Sequence, residues 1–112
     1  MSLEQWHALA DTLLRLELEL RALGLWSAVP PSPEQLNSQA PFCVDSLDFE
    51  QWLQWVFVPR LAVLVNQRAQ LPAECNILPM AEEAFAPLGR RRQPLLAAVA
   101  EADRLVSQLS HR

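Results

Sequence analysis

The segment that decides the fold is residues 45–70, DSLDFEQWLQWVFVPRLAVLVNQRAQ, the most apolar stretch of the chain. Its large apolar side chains fall on several faces of a helix, which is typical of a helix buried on more than one side. Asp45 and Ser46 are good N-cap residues directly before the apolar run. We therefore expect one helix that begins after Ser46, runs to about Gln70 and crosses the middle of the fold.

Pro59 lies inside this predicted helix and should interrupt it. A proline ring removes one main-chain hydrogen bond and clashes with the carbonyl four residues earlier, here that of Trp55, at a cost of about 3 kcal/mol in a regular helix. The sequence therefore predicts a kink or a break at Phe57 to Pro59.

A second amphipathic helix is predicted upstream, from Ser2 to Gly24. Ser2 and Gln5 have the spacing of a capping box, and glycine commonly ends a helix. Leu14 and Leu18 widen its apolar stripe into a broad face that we expect to be buried. The rest of the stripe recurs every three or four residues and comprises Leu3, Trp6, Leu9, Ala10, Leu13, Leu16, Leu20 and Leu23.

Long proline-rich connections separate the predicted helices. The first, residues 27–42, contains four prolines and cannot be one regular element; they are Pro30, Pro31, Pro33 and Pro41. Ser32 and Gln35 again fit a capping box, which predicts a single helical turn through Leu36. We expect Leu36 to pin this connection to the core.

The C-terminal third predicts two more helices. Met80 to Phe85 can form a short helix, and Gly89 closes that region. The last helix should begin at Gln93 and fray at Ser110, with an apolar stripe on one face. Its polar side chains, Glu101, Asp103 and Arg104, are expected largely outside.

The pattern as a whole predicts an all-α fold: a compact bundle of about four helices in a single domain, residues 1–112. No alternation typical of β-strands and no internal repeat competes with it. With 51% hydrophobic and 20% charged residues, a chain of 112 residues can bury one core.

Charge and composition narrow the classes of partner. The net charge is −4 and all nine basic residues are arginine, which disfavours direct binding to nucleic acid. Cys43 and Cys75 lie far apart without metal-ligand spacing, so we expect two buried or half-buried thiols and no metal. The chain has no apolar run of membrane length, and its N-terminus does not resemble a signal peptide. We expect a cytoplasmic protein that makes no membrane contact.

Catalytic signatures are absent from the sequence, which has no phosphate-binding loop, HExxH or GxSxG motif. His7 and His111 lie near opposite ends of the chain and are expected to be ordinary surface residues. We therefore expect no catalytic residues and no cofactor, and a non-catalytic protein is favoured over an enzyme.

Glu17 is the first unusual residue, because the helical projection places it inside the apolar stripe of the first helix. A buried carboxylate needs a partner, and the candidates are Arg21 one turn later and Arg60 after the proline. One interpretation is an internal ion pair that fixes how the first helix docks. The alternative is a polar notch in an apolar groove that recognises a ligand or a peptide.

Trp52 and Trp55 are the second unusual feature, because residues three apart nearly share a helix face. They are either core residues or an aromatic anchor for a partner protein, since tryptophan and arginine are enriched at binding hot spots. Trp26 is expected to plug the end of the bundle.

Two motifs carry a family resemblance: PFCVDSL at residues 41–47 and QWLQWVFVPRL at residues 51–61. Together with Glu17, Arg21 and Trp26 they resemble the YqcC-like family of small bacterial proteins, and the resemblance extends over essentially the whole chain. It implies a cytoplasmic helical bundle. Members are sometimes labelled with tRNA pseudouridine synthase C, which implies that they accompany that enzyme.

The family motif positions that fall in the central segment are Asp45, Trp52, Gln54, Pro59 and Arg60. Roles in a helix cap, in the core and at the proline kink explain these residues as readily as a role in a binding site does. Pseudouridine synthases use a much larger α/β domain, so the resemblance does not imply that activity here.

Three functions remain open at this point. The favoured one is a protein-interaction module that uses the tryptophans and Arg60 near Pro59. The alternative is an accessory protein to tRNA pseudouridine synthase C, with tRNA contacted only indirectly if at all. The third is a small-metabolite binding protein or enzyme with an acid such as Glu17 in a polar pocket. A homodimer is possible, because the first helix has apolar surface to spare.

Overall fold

The computed structural model describes residues 3–72 and 75–110, and Ser2 and His111 therefore lie outside the described residues. In this part of the chain the regular elements are helices and no strand occurs, which confirms the all-α prediction. The α-helices are α1 (Leu3–Ala22), α2 (Pro33–Leu36), α3 (Phe49–Trp52), α4 (Val58–Gln67), α5 (Leu78–Ala84) and α6 (Gln93–Ser110). A π-helical turn occupies Leu53–Phe57, and 3₁₀ segments occupy Pro41–Cys43 and Ala86–Arg92.

Helix α1 packs most extensively along α6 and also against α4. Their facing sides and the π-helical turn form one core, whose fully buried large side chains are Leu9, Leu16, Leu20, Leu53, Leu95, Leu109, Val99 and Val106. Burying a side chain of this size stabilises the fold by about 1.5–3 kcal/mol. The α1–α6 pair is therefore the main source of stability.

The outer part of the α1 stripe is not buried, contrary to the sequence prediction. Leu14 and Leu18 are 62% and 65% exposed, and Leu3 is exposed as well. Helix α1 packs on α6 and α4 through its other apolar residues, so these leucines lie outside the core. The helix ends as predicted before Gly24, which has a positive φ of 73° that glycine adopts readily.

The central segment begins later and ends earlier than predicted. Asp48 rather than Asp45 or Ser46 is the N-cap, and its main-chain N–H donates to Gln51 Oε1 at 2.9 Å in a capping box. The helical segment ends at Gln67, three residues before Gln70. The sequence offers N-cap residues at Asp45 and Ser46 and again at Asp48. Asp48 forms the cap because the glutamine three residues later completes a capping box.

The predicted interruption near Pro59 takes the form of a π-helical turn. The N–H of Val58 donates to the carbonyl of Leu53, five residues earlier, so the turn is one residue wider than an α-helical turn. Pro59 is the second residue of α4 and follows this turn directly. The helix thus passes Pro59 by widening before it and does not end there.

Helix α2 forms as predicted, with Ser32 and Gln35 making a capping box. The prediction that Leu36 pins the connection is wrong, since Leu36 is exposed and lies outside the core. Gln35 holds the connection instead: its Nε2 donates to the carbonyl of Ser46 at 3.1 Å, and Ser46 Oγ donates back to the carbonyl of Gln35 at 2.8 Å.

Helix α5 begins at Leu78, two residues before the predicted Met80, and α6 has the predicted bounds. Asp103 of α6 is half-buried rather than outside, and its carboxylate accepts hydrogen bonds from the N–H groups of Ile77 and Leu78 at 3.0 and 2.9 Å. This carboxylate therefore fixes the start of α5 against α6.

Candidate functional site

An open groove of about 770 Å³ runs between α1 and α4. Its walls are mostly apolar, and their main members are Leu13, Leu14, Glu17, Val58, Val63 and Asn66. We call this feature the α1–α4 groove. Two helices of the folded core form its walls, so the shape of the groove is fixed by the packing of the bundle.

The rim of the α1–α4 groove carries large exposed apolar side chains. Leu14 and Val63 line it from opposite helices, and Val63 is 54% exposed. Leu18 follows Leu14 one turn along α1 and is exposed to a similar degree. Single exposed leucines need no explanation, but a contiguous apolar surface of this kind is typical of binding sites.

Glu17 lies at the edge of this groove and pairs with Arg21, whose Nε donates to Glu17 Oε2 at 2.9 Å. The Arg21 guanidinium also lies 4.9 Å from the centre of the Trp26 ring, in a cation–π arrangement. Arg21 is exposed and Glu17 half-buried, so the pair is not internal, and Arg60 is not the partner of Glu17. The three residues join the end of α1 to the loop that follows.

Replacing Arg21 with alanine should lower the free energy of unfolding by about 1 kcal/mol, because an exposed i, i+4 ion pair contributes about 0.3–0.5 kcal/mol and an exposed cation–π contact about 0.5–1 kcal/mol. Urea unfolding followed by circular dichroism measures the change. The control is Arg15→Ala, at an exposed position of the same helix. Equal stability of the two variants would show that the Glu17–Arg21–Trp26 contacts contribute nothing.

Gln54 is only 4% exposed and serves a structural purpose. Its Nε2 donates to the carbonyl of Ser27 at 2.6 Å, and its Oε1 accepts from the N–H of Ser27 at 2.8 Å. The side chain thus completes both main-chain hydrogen bonds of one loop residue. Gln54 is enclosed and already paired, so it is not available to an incoming partner.

Trp52 is half-buried in a cluster of aromatic rings. Its ring centre lies 4.9 Å from that of Phe42, 5.6 Å from that of Phe49 and 5.3 Å from that of Phe57. Such edge and stacked contacts add about 0.5–1.5 kcal/mol each beyond the buried area. The core interpretation therefore describes Trp52 better than that of a free anchor.

Trp55 and Arg60 lie in a shallow apolar hollow of about 540 Å³ that shares Val63 with the α1–α4 groove. Arg60 is exposed and makes neither an ion pair nor a hydrogen bond within the described residues. Its guanidinium is therefore free to pair with a carboxylate brought by another molecule. The shared valine makes the hollow a continuation of the groove.

Asp45 lies apart from these surfaces. It is exposed and accepts a hydrogen bond from Ser38 Oγ, which orders the turn before α3. Of the seven candidate residues, the structure therefore brings four to the connected surface, Glu17 and Arg21 at one end and Trp55 and Arg60 at the other. Trp52, Gln54 and Asp45 are held by internal contacts.

Cys43 is buried and Cys75 half-buried, and both are free thiols, as predicted. The sequence interpretation missed the contact between Cys75 and Asp103. Cys75 Sγ donates to Asp103 Oδ1 at 3.1 Å, and burial, followed by the hydrogen bond and the charge of Asp103, raises the pKa of the Cys75 thiol well above its usual range. A thiol with a raised pKa stays protonated and is a poor nucleophile. The sequence offered no signal for this pair, because the two residues are far apart in the chain.

Among the described helices, none combines the length with the apolar character required to cross a membrane.

A family model described as tRNA pseudouridine synthase C matches residues 8–105, nearly the whole chain. The chain belongs to this family. This is the YqcC-like family that the two sequence motifs resemble. The solved structure of one member supports this assignment. The solution NMR structure of YqcC from Escherichia coli is similar with a TM-score of 0.80 and 32% identity, over 92% of this chain and 88% of that one.

Two further relatives of this chain differ in length from each other. An uncharacterized protein of Haemophilus influenzae is 38% identical over 88 residues, which are 79% of this chain and 83% of that protein. A protein of Pectobacterium carotovorum named tRNA pseudouridine synthase C is 43% identical over 62 residues, which are 55% of this chain but only 16% of that protein. Most of the second protein therefore lies outside the match.

Proposed function

We propose that this YqcC-like chain is a non-catalytic protein-interaction module whose α1–α4 groove binds another protein. The observation that carries the proposal is an apolar groove between two helices that is lined by the exposed side chains of Leu14 and Val63, with Leu18 exposed one turn beyond Leu14. These side chains form a surface that the fold itself does not need to bury, since the core is complete without them.

The occupant that best fits the groove is an amphipathic helix of the partner. An apolar groove between two helices receives the apolar stripe of a third helix, with anchors three or four residues apart. Polar groups lie at the margins of the groove: Glu17 with Arg21, and Arg60 beyond Val63. These groups would contact the polar flanks of such a helix. A partner carboxylate opposite Arg60 would gain a charge-assisted hydrogen bond.

Reactive groups give little support to a catalytic role. The carboxylate of Glu17 is paired with Arg21, and the Cys75 thiol is held protonated by its surroundings. Asp103 lies beside the Cys75 thiol, but its carboxylate also accepts from two main-chain N–H groups at the start of α5 and raises the pKa of the thiol, the opposite of what activates a nucleophile. The third function considered above, a pocket built around an acid at Glu17, is therefore less well supported than protein binding.

The test is co-purification of the tagged chain from its native host, with the wild type and the double variant Leu14→Glu/Leu18→Glu. Because each leucine contributes about 1.5–3 kcal/mol when buried, the variant should bind at least about 100-fold more weakly. Its own stability should change by less than about 0.5 kcal/mol, since both positions are exposed. The matched control is Val44→Glu, at an exposed valine outside the groove.

A protein that is retained by the wild type and the control but lost from the double variant would support the proposal. Equal recovery with all three chains would contradict it. A third outcome is that the wild type and the control self-associate at high concentration while the double variant does not. That result would assign the groove to a second copy of the chain, and the partner proposal would fail.

A second candidate function is an accessory role to tRNA pseudouridine synthase C. It is favoured by the Pectobacterium carotovorum protein of that name, in which the matched segment is 16% of a longer chain. Two segments that belong to one protein in one organism are candidates to bind each other where they occur as separate proteins. Under this proposal the synthase supplies the helix that fills the α1–α4 groove.

Calorimetric titration of the purified synthase from the same host tests this candidate. We expect a one-to-one complex that the double variant Leu14→Glu/Leu18→Glu does not form. With a net charge of −4, the chain alone should not shift tRNA, even at low salt where phosphate contacts are strongest. The absence of any binding heat with the synthase would remove this candidate without touching the general interaction proposal.

A further inference from the structure

A separate hollow of about 220 Å³ lies where α3, the π-helical turn and the start of α4 meet α6 and residues 75–77. Its apolar walls are Phe42, Trp52, Phe57, Leu61, Ile77 and Val106. It shares none of these residues with the α1–α4 groove. The hollow is smaller and less open than the groove, so it fits a small group rather than a helix.

Flat aromatic faces dominate the walls of this hollow. The Trp52 ring is the centre of the arrangement, 4.9 Å from Phe42 and 5.3 Å from Phe57 between ring centres. Ligand pockets are typically lined by apolar and aromatic side chains with a few polar groups that set orientation. A planar apolar group would therefore find ring faces and edges on several sides.

The polar groups at the hollow favour an anion. Among the described residues that line it, Arg60 carries the one formal charge, and it has no partner. The Cys75 thiol also lines the hollow but already donates to Asp103. Arginine binds carboxylates through paired hydrogen bonds, and it retains its charge at every physiological pH.

Two of the three described non-glycine residues with a positive φ lie at or directly beside the same wall. Phe42 and Cys43 have positive φ values of 58° and 51°, a conformation that is uncommon for residues other than glycine and unusual for a bulky side chain. Each such residue costs of order 1 kcal/mol or more, and strain of this kind clusters at ligand sites. Here it presents the Phe42 ring to Trp52 and to the hollow.

We propose that this hollow binds a small ligand with a planar apolar body and a carboxylate, the body lying against Trp52, Phe42 and Phe57 and the carboxylate pairing with Arg60. Two sources offer this chemistry: a free aryl carboxylate, and the C-terminal residue of a peptide that ends in an aromatic side chain. The apolar walls of this hollow are separate from those of the α1–α4 groove, whereas Arg60 borders both this hollow and the continuation of the groove.

Titration of the full chain with 3-phenylpropionate tests the proposal, with the neutral amide of the same acid as the matched probe. Binding is followed by the indole N–H signals in nitrogen-15 NMR spectra, in which a Trp52→Phe variant identifies the Trp52 signal. We expect a saturable shift of that signal with the acid and binding at least about tenfold weaker with the amide. Arg60→Gln should weaken binding of the acid to the same extent, and Arg15→Gln should leave it unchanged.

Three results would overturn the proposal: no saturable shift at millimolar acid, equal binding of acid and amide, or unchanged binding by Arg60→Gln. Arg60 is exposed, so its variant should remain folded, which the spectrum itself verifies. The peptide Ala-Ala-Ala-Phe with a free C-terminus distinguishes the two sources. Tighter binding of the peptide than of 3-phenylpropionate assigns the site to a chain end, and the reverse order assigns it to a free small molecule.

Discussion

Replacing Gln54 with alanine should lower the free energy of unfolding by about 3 kcal/mol. The side chain is buried and satisfies both the N–H and the carbonyl of Ser27. Removing it leaves two partly buried main-chain groups without partners, each at a cost of about 1–3 kcal/mol, and opens a cavity in addition. Urea unfolding followed by circular dichroism measures the loss.

The matched control is Gln70→Ala, at an exposed glutamine, and it should change stability by less than about 0.5 kcal/mol. A variant of Gln54 that loses less than about 1 kcal/mol would show that the loop after α1 is held elsewhere. The same variant should keep partner binding at protein concentrations where it is folded, because Gln54 is enclosed. Loss of binding in a folded Gln54 variant would return this residue to the binding surface.

Replacing Asp103 with alanine should have a comparable effect, again about 3 kcal/mol. Its carboxylate accepts from two main-chain N–H groups at the start of α5 and from the Cys75 thiol. Hydrogen bonds to a charged group contribute about 1.5–3 kcal/mol, and the N–H groups of Ile77 and Leu78 would lose their acceptor. The control is Glu83→Ala, an exposed carboxylate of α5.

The reactivity of Cys75 provides a second, local measure of the same contact. Its pKa is raised first by burial and then by Asp103, so Asp103→Asn should lower the pKa and speed alkylation by iodoacetamide at pH 8. Mass spectrometry of the peptide that contains Cys75 reads the rate. An unchanged rate would mean that Asp103 does not hold the thiol.

Stability should also fall in alkaline solution for the same reason. The thiol of the unfolded chain ionises near its ordinary pKa of 9.0, whereas the folded chain keeps its proton to higher pH. The unfolded state therefore binds fewer protons above about pH 9, and the free energy of unfolding decreases as the pH rises through that range. A Cys75→Ala variant should lack this part of the decrease.

The helices themselves were predictable because their patterns are local. The spacing of the apolar residues predicted α6 with its observed bounds, and the capping box predicted α2. Pro59 marked the interruption of the central helix. The form of that interruption was not predictable from the sequence. Whether a helix kinks, breaks or widens into a π-helical turn depends on how its two halves pack.

The outer face of α1 was mispredicted for a related reason. Leu14 and Leu18 extend the apolar stripe, but a stripe does not indicate how wide a surface the neighbouring helices cover. Glu17 lies at the boundary of the covered face, so its ion pair is partly exposed. Leu14, which the prediction buried, lines the α1–α4 groove, and Leu18 is exposed one turn beyond it.

The polar contacts that hold the connections divide into predictable and unpredictable cases. Gln54 within an apolar run is a visible signal of a buried polar group, and buried amides require partners. Its partner, Ser27, lies in a loop whose path no local pattern fixes. Asp103 looks like an ordinary outer residue of α6 in the sequence, and only the tertiary fold places the start of α5 on it.

The exposed leucines of α1 should contact another protein in the cell. Photo-crosslinking in the native host measures this contact, with benzoylphenylalanine introduced at position 14 of the α1–α4 groove and, as the control, at the exposed position 44. We expect a crosslink to a different protein from position 14 and none to that protein from position 44. No crosslink from position 14, or only crosslinks between two copies of the chain, would contradict it.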